Sequence, residues 1–413
     1  MTASTVRSIL PPLSAQERTH SATVAVQIGA ELTAAGGWLS FERFMELALY
    51  APGLGYYSAG SAKIGPAGDF VTAPEASALF GRCLARQCAE VLRATAGDIL
   101  ELGAGTGALA AALLKELAVQ GALPGRYAIL EVSADLAERQ RERLAQLPQP
   151  LYERVVWLDR LPGEAAVRGL ILANEVADAL PFRRVRWSEG GLREVGVALA
   201  SSRAGGVSTS AGRETGGGGT LCFREEPRDP DAALARACTE IVAALPAPLP
   251  AGYTSEVCLR LAPWIGSLSA CLERGVLLLC DYGLPRRHYY HPERLNGTLR
   301  CHFRHRAHED PFINIGMQDI SAWVDFTRAA EAAATAGLTL RGFATQAAFL
   351  LALGIERFVA EAADDIARVR LAGEARRLML PEEMGESFKA LALSRDFDAP
   401  LAGFALQDLR HLL

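Results

Sequence analysis

The chain has 413 residues, of which 50% are hydrophobic and 22% are charged, so it is long enough to bury a large core and to form more than one domain. Its formal net charge of −5 argues against a dedicated nucleic-acid-binding protein, because such proteins carry a basic excess. No apolar run approaches the ~20 residues that a membrane-spanning helix requires, and we find no signal-peptide pattern.

The cysteines are scattered along the chain without a Cys-x-x-Cys pair, which is typical of reduced thiols rather than of a disulfide framework. Residues 1–20 are rich in Ser and Thr and contain Arg7 and Arg18, as a transit peptide does, but we interpret them as a frayed tail. Together these features predict a cytoplasmic protein.

Residues 1–95 are predicted to form an N-terminal helical extension with glycine-rich turns. Apolar residues recur at helical spacing within residues 22–50, and Ser40 is a suitable N-cap for the second helix. Pro and Gly residues predict turns around residues 50–57 and 65–70, and a further helix is expected near residues 75–95.

From residue 98 onward, strand patterns alternate with helix patterns. Strands are predicted at residues 98–102, 127–131, 153–157 and 169–173, and helices at residues 107–120 and 133–147. This alternation predicts an α/β fold with a doubly wound parallel sheet that is covered on both faces. Residues 96–181 are assigned to the first half of this core.

Residues 182–274 are predicted to be an insertion between the fourth and fifth strands that binds an acceptor or a partner. Its segment 200–220 is rich in Gly, Ser and Thr and is expected to be flexible. Residues 275–413 are assigned to the second half of the core. Its predicted strands are 275–283, 338–343, 388–393 and 401–406, and its predicted helices are 319–336 and 346–371.

The strand-to-helix turn at residues 99–107 reads Ile-Leu-Glu-Leu-Gly-Ala-Gly-Thr-Gly, which allows close approach of a ligand to the backbone. The start of the following helix adds unpaired N–H groups and a partial positive charge. Glu101 before the glycines suits an ammonium group, as in the methionine half of S-adenosylmethionine (SAM). The same residues with Ala108 also match G-x-G-x-x-A, so a NAD- or FAD-dependent oxidoreductase stays an alternative.

Ligands of open parallel sheets bind at the carboxyl ends of the strands, which selects the cofactor-binding candidates. Glu131 closes the second strand and is expected to hold ribose hydroxyls. Asp159 follows the third strand and is available to an adenine edge, although such an acid is more often a surface turn residue. The full predicted set from the first three loops is Glu101, Gly103, Ala104, Gly105, Gly107, Glu131 and Asp159.

The loop after the fourth strand, residues 173–181, is expected to hold the methyl acceptor. Asn174, Glu175 and Asp178 are the predicted catalytic residues, because two carboxylates can bind a guanidinium through paired hydrogen bonds and orient it. The alternative is a helix start with Asn174 as its cap. His302, His305 and His308 invite a metal interpretation, but no familiar ligand set is complete, and we predict no metal.

Many short motifs in order resemble the MidA-like methyltransferases over roughly residues 38–345. The motifs that carry the resemblance are Phe44-Met45, Leu49-Tyr50-Ala51-Pro52, Gly55-Tyr56-Tyr57, Gly68-Asp69-Phe70-Val71-Thr72-Ala73-Pro74-Glu75, Phe80-Gly81, Glu101 to Gly107, Asn174-Glu175, Asp178-Ala179-Leu180-Pro181, Asp281-Tyr282-Gly283, Gly297-Thr298-Leu299-Arg300, His305, Gly316, Asp319-Ile320 and Val324-Asp325-Phe326.

The resemblance implies a class I SAM-dependent methyltransferase with SAM as cofactor. The family includes the mitochondrial assembly factor for respiratory complex I, a protein arginine methyltransferase, which implies a protein acceptor such as a complex I subunit. Gly68, Asp69 and Phe70 are expected to close over the cofactor or the acceptor. A non-catalytic SAM-binding assembly chaperone and a small-molecule methyltransferase remain alternatives, as do a monomer and a homodimer.

Overall fold

A computed structural model describes residues 10–59, 69, 72–200 and 221–413. Contacts divide the chain into two compact units. Unit 1 comprises the described residues of segments 1–70, 181–259 and 290–322; unit 2 comprises those of segments 71–180, 260–289 and 323–413. This grouping differs from the predicted linear division, because residues 290–322 join unit 1 and residues 72–95 join unit 2.

The secondary structure of the described residues is as follows. The strands are β1 (Asp98–Leu102), β2 (Tyr127–Leu130), β3 (Val155–Leu158), β4 (Val167–Asn174), β5 (Arg183–Ser188), β6 (Gly191–Leu199), β7 (Phe223–Arg228), β8 (Thr254–Val257), β9 (Leu272–Leu284), β10 (Arg300–Phe303), β11 (Arg306–His308), β12 (Asp319–Ser321), β13 (Val324–Asp325), β14 (Thr339–Thr345) and β15 (Phe388–Arg395). The helices are α1 (Ala15–Ala34), α2 (Phe41–Tyr50), α3 (Ala73–Ala76), α4 (Ala78–Thr95), α5 (Ala108–Val119), α6 (Ala134–Leu144), α7 (Gln149–Tyr152), α8 (Ala232–Ala243), α9 (Leu261–Cys271), α10 (Arg286–Tyr289), α11 (Phe326–Thr335), α12 (Gln346–Ala352), α13 (Ile355–Ala360) and α14 (Asp365–Met379), with short 3-10 turns at Ala402–Phe404 and Arg410–Leu412.

The sheet of unit 2 has the order β14-β15-β9-β4-β1-β2-β3, and β13 pairs with β9. The pairs from β9 to β3 are parallel. β15 pairs antiparallel with both β9 and β14, so β15 alone runs opposite to the other strands of this order. Chain order reverses between β1 and β4, since the chain runs outward to β3 on one side and to β9 on the other. This reversal is the switch point at which open α/β sheets bind ligands.

Helices cover both faces of this sheet. On one face, α4 and α5 pack over Ile99 and Tyr127 in a buried apolar cluster. Leu100 and Leu277 are also buried but point to the opposite face, where α9 and α11 pack against β9. The predicted doubly wound sheet is therefore confirmed.

Unit 1 contains an antiparallel sheet of order β7-β6-β5-β8 and a second antiparallel sheet of order β11-β10-β12. Both contribute to a core with α1 and α2, in which Ile28, Phe44, Phe182, Val197 and Ile320 are buried. The predicted flexible segment 200–220 lies outside the described residues, apart from Ala200 at its start, so its flexibility stays a prediction.

Several predicted elements are wrong. Residues 15–20 are not a frayed tail, because α1 begins at Ala15 and Ser14 forms a capping box with Glu17. The strand predicted at residues 401–406 is a 3-10 turn. The helix predicted at residues 319–336 begins only at Phe326, where Asp325 caps it, and the helix predicted at 346–371 is divided among α12, α13 and α14. Among the described residues, no helix combines the length and apolarity needed to cross a membrane.

Candidate active site

The glycine turn after β1 is built from left-handed backbone. Gly103, Gly105 and Gly107 have φ values of 59°, 54° and 82°, a region that favours glycine because it has no Cβ. Gly107 is the N-cap of α5 and has no side-chain cap, so the first N–H groups of α5 lack a capping side chain. These donors and the helix dipole favour an electron-rich ligand group at this turn.

The glycine turn lies directly against the loop that follows β4. A Cβ placed on Gly103 would approach Val176 Cγ2 to 3.4 Å. The predicted donor site and the predicted acceptor loop therefore adjoin each other at the switch point of the sheet.

Glu101, on β1, is almost completely buried, with 2% of its surface exposed. The hydroxyl of Tyr127 on β2 donates to its Oε2 at 2.7 Å. Burial raises the pKa of the Glu101 carboxyl to about 7, although the Tyr127 hydrogen bond acts in the opposite direction. Its charge therefore changes near neutral pH, a property that sequence alone did not indicate.

Glu131, at the end of β2, is held by hydrogen bonds from Ser133, Gln140 and the Val132 backbone. The backbone N–H of Ser133 donates to Oε1 at 2.9 Å, and the Gln140 amide donates to Oε2 at 2.8 Å. Burial raises the pKa of the Glu131 carboxyl, and these hydrogen bonds oppose the shift. Gln140 also reaches Gly105, so the structure brings Glu131 and the glycine turn together.

Asp159 and Asp69 lie in different surroundings. Asp159 is exposed after β3 and contributes to a cavity of about 410 Å³ that also includes Asp98 and Arg126. In unit 1, Asp69 is buried, accepts the Tyr56 hydroxyl at 2.8 Å and the Arg304 N–H at 2.7 Å, and has a pKa raised by burial. Gly68 and Phe70 lie outside the described residues, so the ligand roles of all four stay predictions.

Asn174, at the end of β4, and Glu175 and Asp178, in the loop that follows, are the three predicted catalytic residues. Glu175 has a φ of 54°, unusual for a residue with a side chain, and its N–H donates to Cys280 O at 2.9 Å. Its Oε1 accepts the Ala73 N–H at 3.1 Å and the Asn174 amide at 3.2 Å. No helix follows Asn174, so the alternative of a helix cap is wrong.

Asp281 and Tyr282, at the end of β9, organise this loop. Asp281 Oδ2 accepts the N–H groups of Val176, Ala177 and Asp178 at 3.2, 2.9 and 3.3 Å. The Tyr282 hydroxyl donates to Asp178 Oδ2. Burial, followed by the negative charge of Glu175, raises the pKa of Asp281 to about 8.

The short helix α3 also contacts the glycine turn. Glu75 Oε1 accepts the Thr106 hydroxyl and forms an ion pair with Arg143 at 3.0 Å. The same short helix supplies the Ala73 N–H to Glu175. Residues 73–76 thus contact both the glycine turn and the loop after β4, which the sequence motif that contains them did not reveal.

The sheet order and the glycine turn at its switch point are those of a Rossmann-like nucleotide-binding fold, to which the class I SAM-dependent methyltransferases belong. The chain belongs to the family described as "Putative S-adenosyl-L-methionine-dependent methyltransferase", whose model matches residues 83–344. A crystal structure from Burkholderia thailandensis, described as a likely methyl transferase bound to S-adenosyl-homocysteine, is 39% identical with a TM-score of 0.88, and the match covers 98% of this chain and 100% of that one.

Two curated relatives are named protein arginine methyltransferase NDUFAF7, mitochondrial (Danio rerio), and its mitochondrial homolog (Drosophila melanogaster). Each is 28% identical; the first match covers 86% of this chain and 83% of the relative, and the second covers 93% and 87%. The resemblance to the MidA-like family, the SAM cofactor and the methyltransferase activity are confirmed, and the NAD or FAD alternative is excluded. The predicted cytoplasmic location is wrong, because the named relatives are mitochondrial proteins.

Proposed function

We propose that this methyltransferase transfers its methyl group to a guanidinium nitrogen of an arginine in a protein. The observation that carries the proposal is the pair Glu175 and Asp178 on one loop that adjoins the glycine turn. Carboxylates bind a guanidinium through paired, charge-assisted hydrogen bonds. The names of the two curated relatives support the same acceptor.

The donor side accommodates SAM. Gly103, Gly105 and Gly107 have no Cβ that would restrict the approach of a ligand to the backbone. The Ala104 backbone is proposed to contact SAM with them, and Glu101 suits the ammonium group. Glu131 is proposed to hold the ribose hydroxyls and Asp159 the adenine edge. Bound SAM would supply a sulfonium methyl group that leaves its electron pair on sulfur when a nitrogen attacks the carbon.

On the acceptor side, Glu175 and Asp178 would orient the guanidinium by accepting hydrogen bonds from its N–H groups. Asn174 supports Glu175 through its amide, and Tyr282 fixes the Asp178 carboxylate. When the new N–C bond forms and the S–C bond breaks, the nitrogen gains positive charge, which the neighbouring carboxylates would stabilise. One of these carboxylates would then accept the proton that the nitrogen loses. Alignment of nitrogen and methyl carbon supplies much of the rate gain.

We propose a subunit of respiratory complex I as the protein acceptor to be tested first, since the MidA-like family includes an assembly factor for that complex. The acceptor would bind as a protein chain that presents one arginine side chain to the loop of residues 173–181. The oligomeric state of the enzyme, monomer or homodimer, does not enter this proposal.

The test is methyl transfer from SAM that carries a radiolabelled methyl group. We would offer purified complex I subunits and a peptide library with central arginine, beside the same library with lysine in its place. We expect label in methylarginine after acid hydrolysis and none in the lysine library. Glu175→Gln and Asp178→Asn should each reduce transfer at least about tenfold, because each removes one charged partner of the guanidinium.

The matched control is Glu164→Gln, which alters an exposed carboxylate of the same unit and should retain full transfer. Label in a small molecule or in lysine would overturn the arginine proposal. SAM binding without transfer to any of these acceptors would favour the non-catalytic chaperone.

A further inference from the structure

Gln140, on α6, is a fully buried amide that joins three parts of the donor site. Its Nε2 donates to Gly105 O at 2.9 Å and to Glu131 Oε2 at 2.8 Å. Its Oε1 accepts the indole N–H of Trp157, on β3, at 3.0 Å. Its exposed fraction is 0%, so these bonds are made away from water and are costly to lose.

The network determines the orientation of the amide. If oxygen and nitrogen were exchanged, the oxygen would face the carbonyl of Gly105 and the carboxylate of Glu131, and the nitrogen would face the indole N–H of Trp157. All three contacts would then be repulsive. Gln140 therefore has one stable arrangement, and Arg141 stacks over the Trp157 ring at 4.9 Å beside it.

In this arrangement the Glu131 carboxylate can accept a further hydrogen bond from a ligand, such as one from a ribose hydroxyl. Its oxygens accept hydrogen bonds from the Ser133 N–H, from Gln140 and from the Val132 backbone, fewer than the four or so acceptor sites of a carboxylate, so Glu131 retains capacity for a ligand hydroxyl. The same amide holds Gly105, whose backbone belongs to the turn that receives the ligand. One side chain thus fixes the carboxylate relative to the glycine turn.

We infer that Gln140 is a positioning residue that gives the site its selectivity for ligands with ribose hydroxyls. It acts through Glu131 and Gly105 and does not itself touch the ligand. The inference deepens the proposed function, since it rests on the proposed contact of Glu131 with the ribose of SAM, but it does not depend on which acceptor is methylated.

The test uses S-adenosylhomocysteine and its 2′-deoxy derivative, with dissociation constants from calorimetry of the full chain. We expect the unchanged protein to prefer the ribose ligand at least about tenfold, because a site built for a hydroxyl rejects an analogue that lacks it. Gln140→Met keeps the length of the side chain and removes all three hydrogen bonds. It should weaken the ribose ligand about tenfold and the deoxy ligand less than about threefold, which lowers a tenfold preference to about threefold or less.

The matched control is Gln346→Met, which removes a buried hydrogen bond to Leu378 O in the same unit. It should lower thermal stability and leave both dissociation constants unchanged. Trp157→Phe removes only the partner of Oε1 and should reduce the preference by a smaller factor; it also tests the inference if Gln140→Met does not fold.

Equal weakening of both ligands by Gln140→Met or Trp157→Phe would overturn the inference, since a purely structural role predicts it. A wild-type protein without the preference would overturn the assignment of Glu131 to ribose. Absence of arginine methylation together with the expected binding pattern would overturn only the proposed acceptor.

Discussion

At the scale of single residues, Glu101 makes cofactor binding depend on pH. Burial raises its pKa to about 7, so the carboxyl is mostly ionised at pH 8 and mostly neutral at pH 6. Only the ionised form attracts the ammonium group of SAM. We expect SAM to bind about tenfold more weakly at pH 6 than at pH 8, as the ionised fraction changes about tenfold. Calorimetric titration across this range measures the effect.

Two variants identify the group responsible. Tyr127→Phe removes the hydrogen bond that lowers the pKa of Glu101, so the midpoint of the pH dependence should move upward. Glu101→Gln should bind SAM weakly at every pH. If Glu101→Gln kept the pH dependence of the unchanged protein, Glu101 would not be the ammonium-binding group.

Gly105 supplies a second residue-scale prediction. Its φ of 54° lies where a β-branched side chain is strained, and a Cβ would enter the space proposed for the ligand. Gly105→Val should abolish measurable SAM binding. Gly121→Val is the matched control, because Gly121 has a φ of 61° in the same unit and open space around its Cβ position. Normal SAM binding by Gly105→Val would exclude this turn as the donor site.

At the scale of elements, the end of β9 controls the loop after β4. Asp281 accepts three successive N–H groups from that loop, and its amide replacement in Asp281→Asn presents only one oxygen. We expect hydrogen exchange of residues 176–178 to become at least about tenfold faster, and methyl transfer to the arginine library to fall about tenfold. SAM affinity should change less than about twofold.

Asp325→Asn is the control for Asp281→Asn. Asp325 is also a buried carboxyl at a strand end, but it caps α11 and pairs with Arg286. Asp325→Asn should lower the free energy of unfolding by about 2 kcal/mol without making hydrogen exchange at residues 176–178 faster. Faster exchange there in both variants would mean that Asp281 contributes only to overall stability.

The residues that follow each strand could be predicted from the sequence, whereas the side-chain contacts between different strand ends could not. The glycine turn, Glu131 and the loop of Glu175 were recognisable, because each directly follows an apolar run. Gln140 was not assigned a role, since it joins Gly105, Glu131 and Trp157 only once β1, β2 and β3 lie side by side. Asp281 was not assigned one, since its partners lie about a hundred residues earlier in the chain. The helix predicted from residue 319 began too early for a similar reason: the capping role of Asp325 depends on the short pairing of β13 with β9.

At the scale of the whole molecule, buried carboxyls set the pH dependence of stability. The pKa values of Glu101 and Asp281 are raised to about 7 and about 8. Between about pH 4 and pH 8 the folded chain therefore holds more protons than the unfolded chain, so the free energy of unfolding falls as pH rises. Burial lowers the pKa of Lys389 to about 8. Above pH 8 this lysine is therefore more protonated in the unfolded chain than in the folded chain, so it raises the free energy of unfolding as pH rises.

We therefore expect the free energy of unfolding in urea, followed by tryptophan fluorescence, to be higher at pH 5 than at pH 8. Glu101→Gln should remove the contribution of Glu101 to this difference in the free energy of unfolding. That contribution is about 3 kcal/mol for a rise of the Glu101 pKa from 4.5 to about 7. Gln346→Met, which changes no titratable group, should shift the whole curve without altering its slope. A slope that Glu101→Gln leaves unchanged would contradict this account. Because SAM binding is expected to need the ionised Glu101, the pH that favours cofactor binding is the pH at which the free chain is less stable, and bound SAM should offset that loss by mass action.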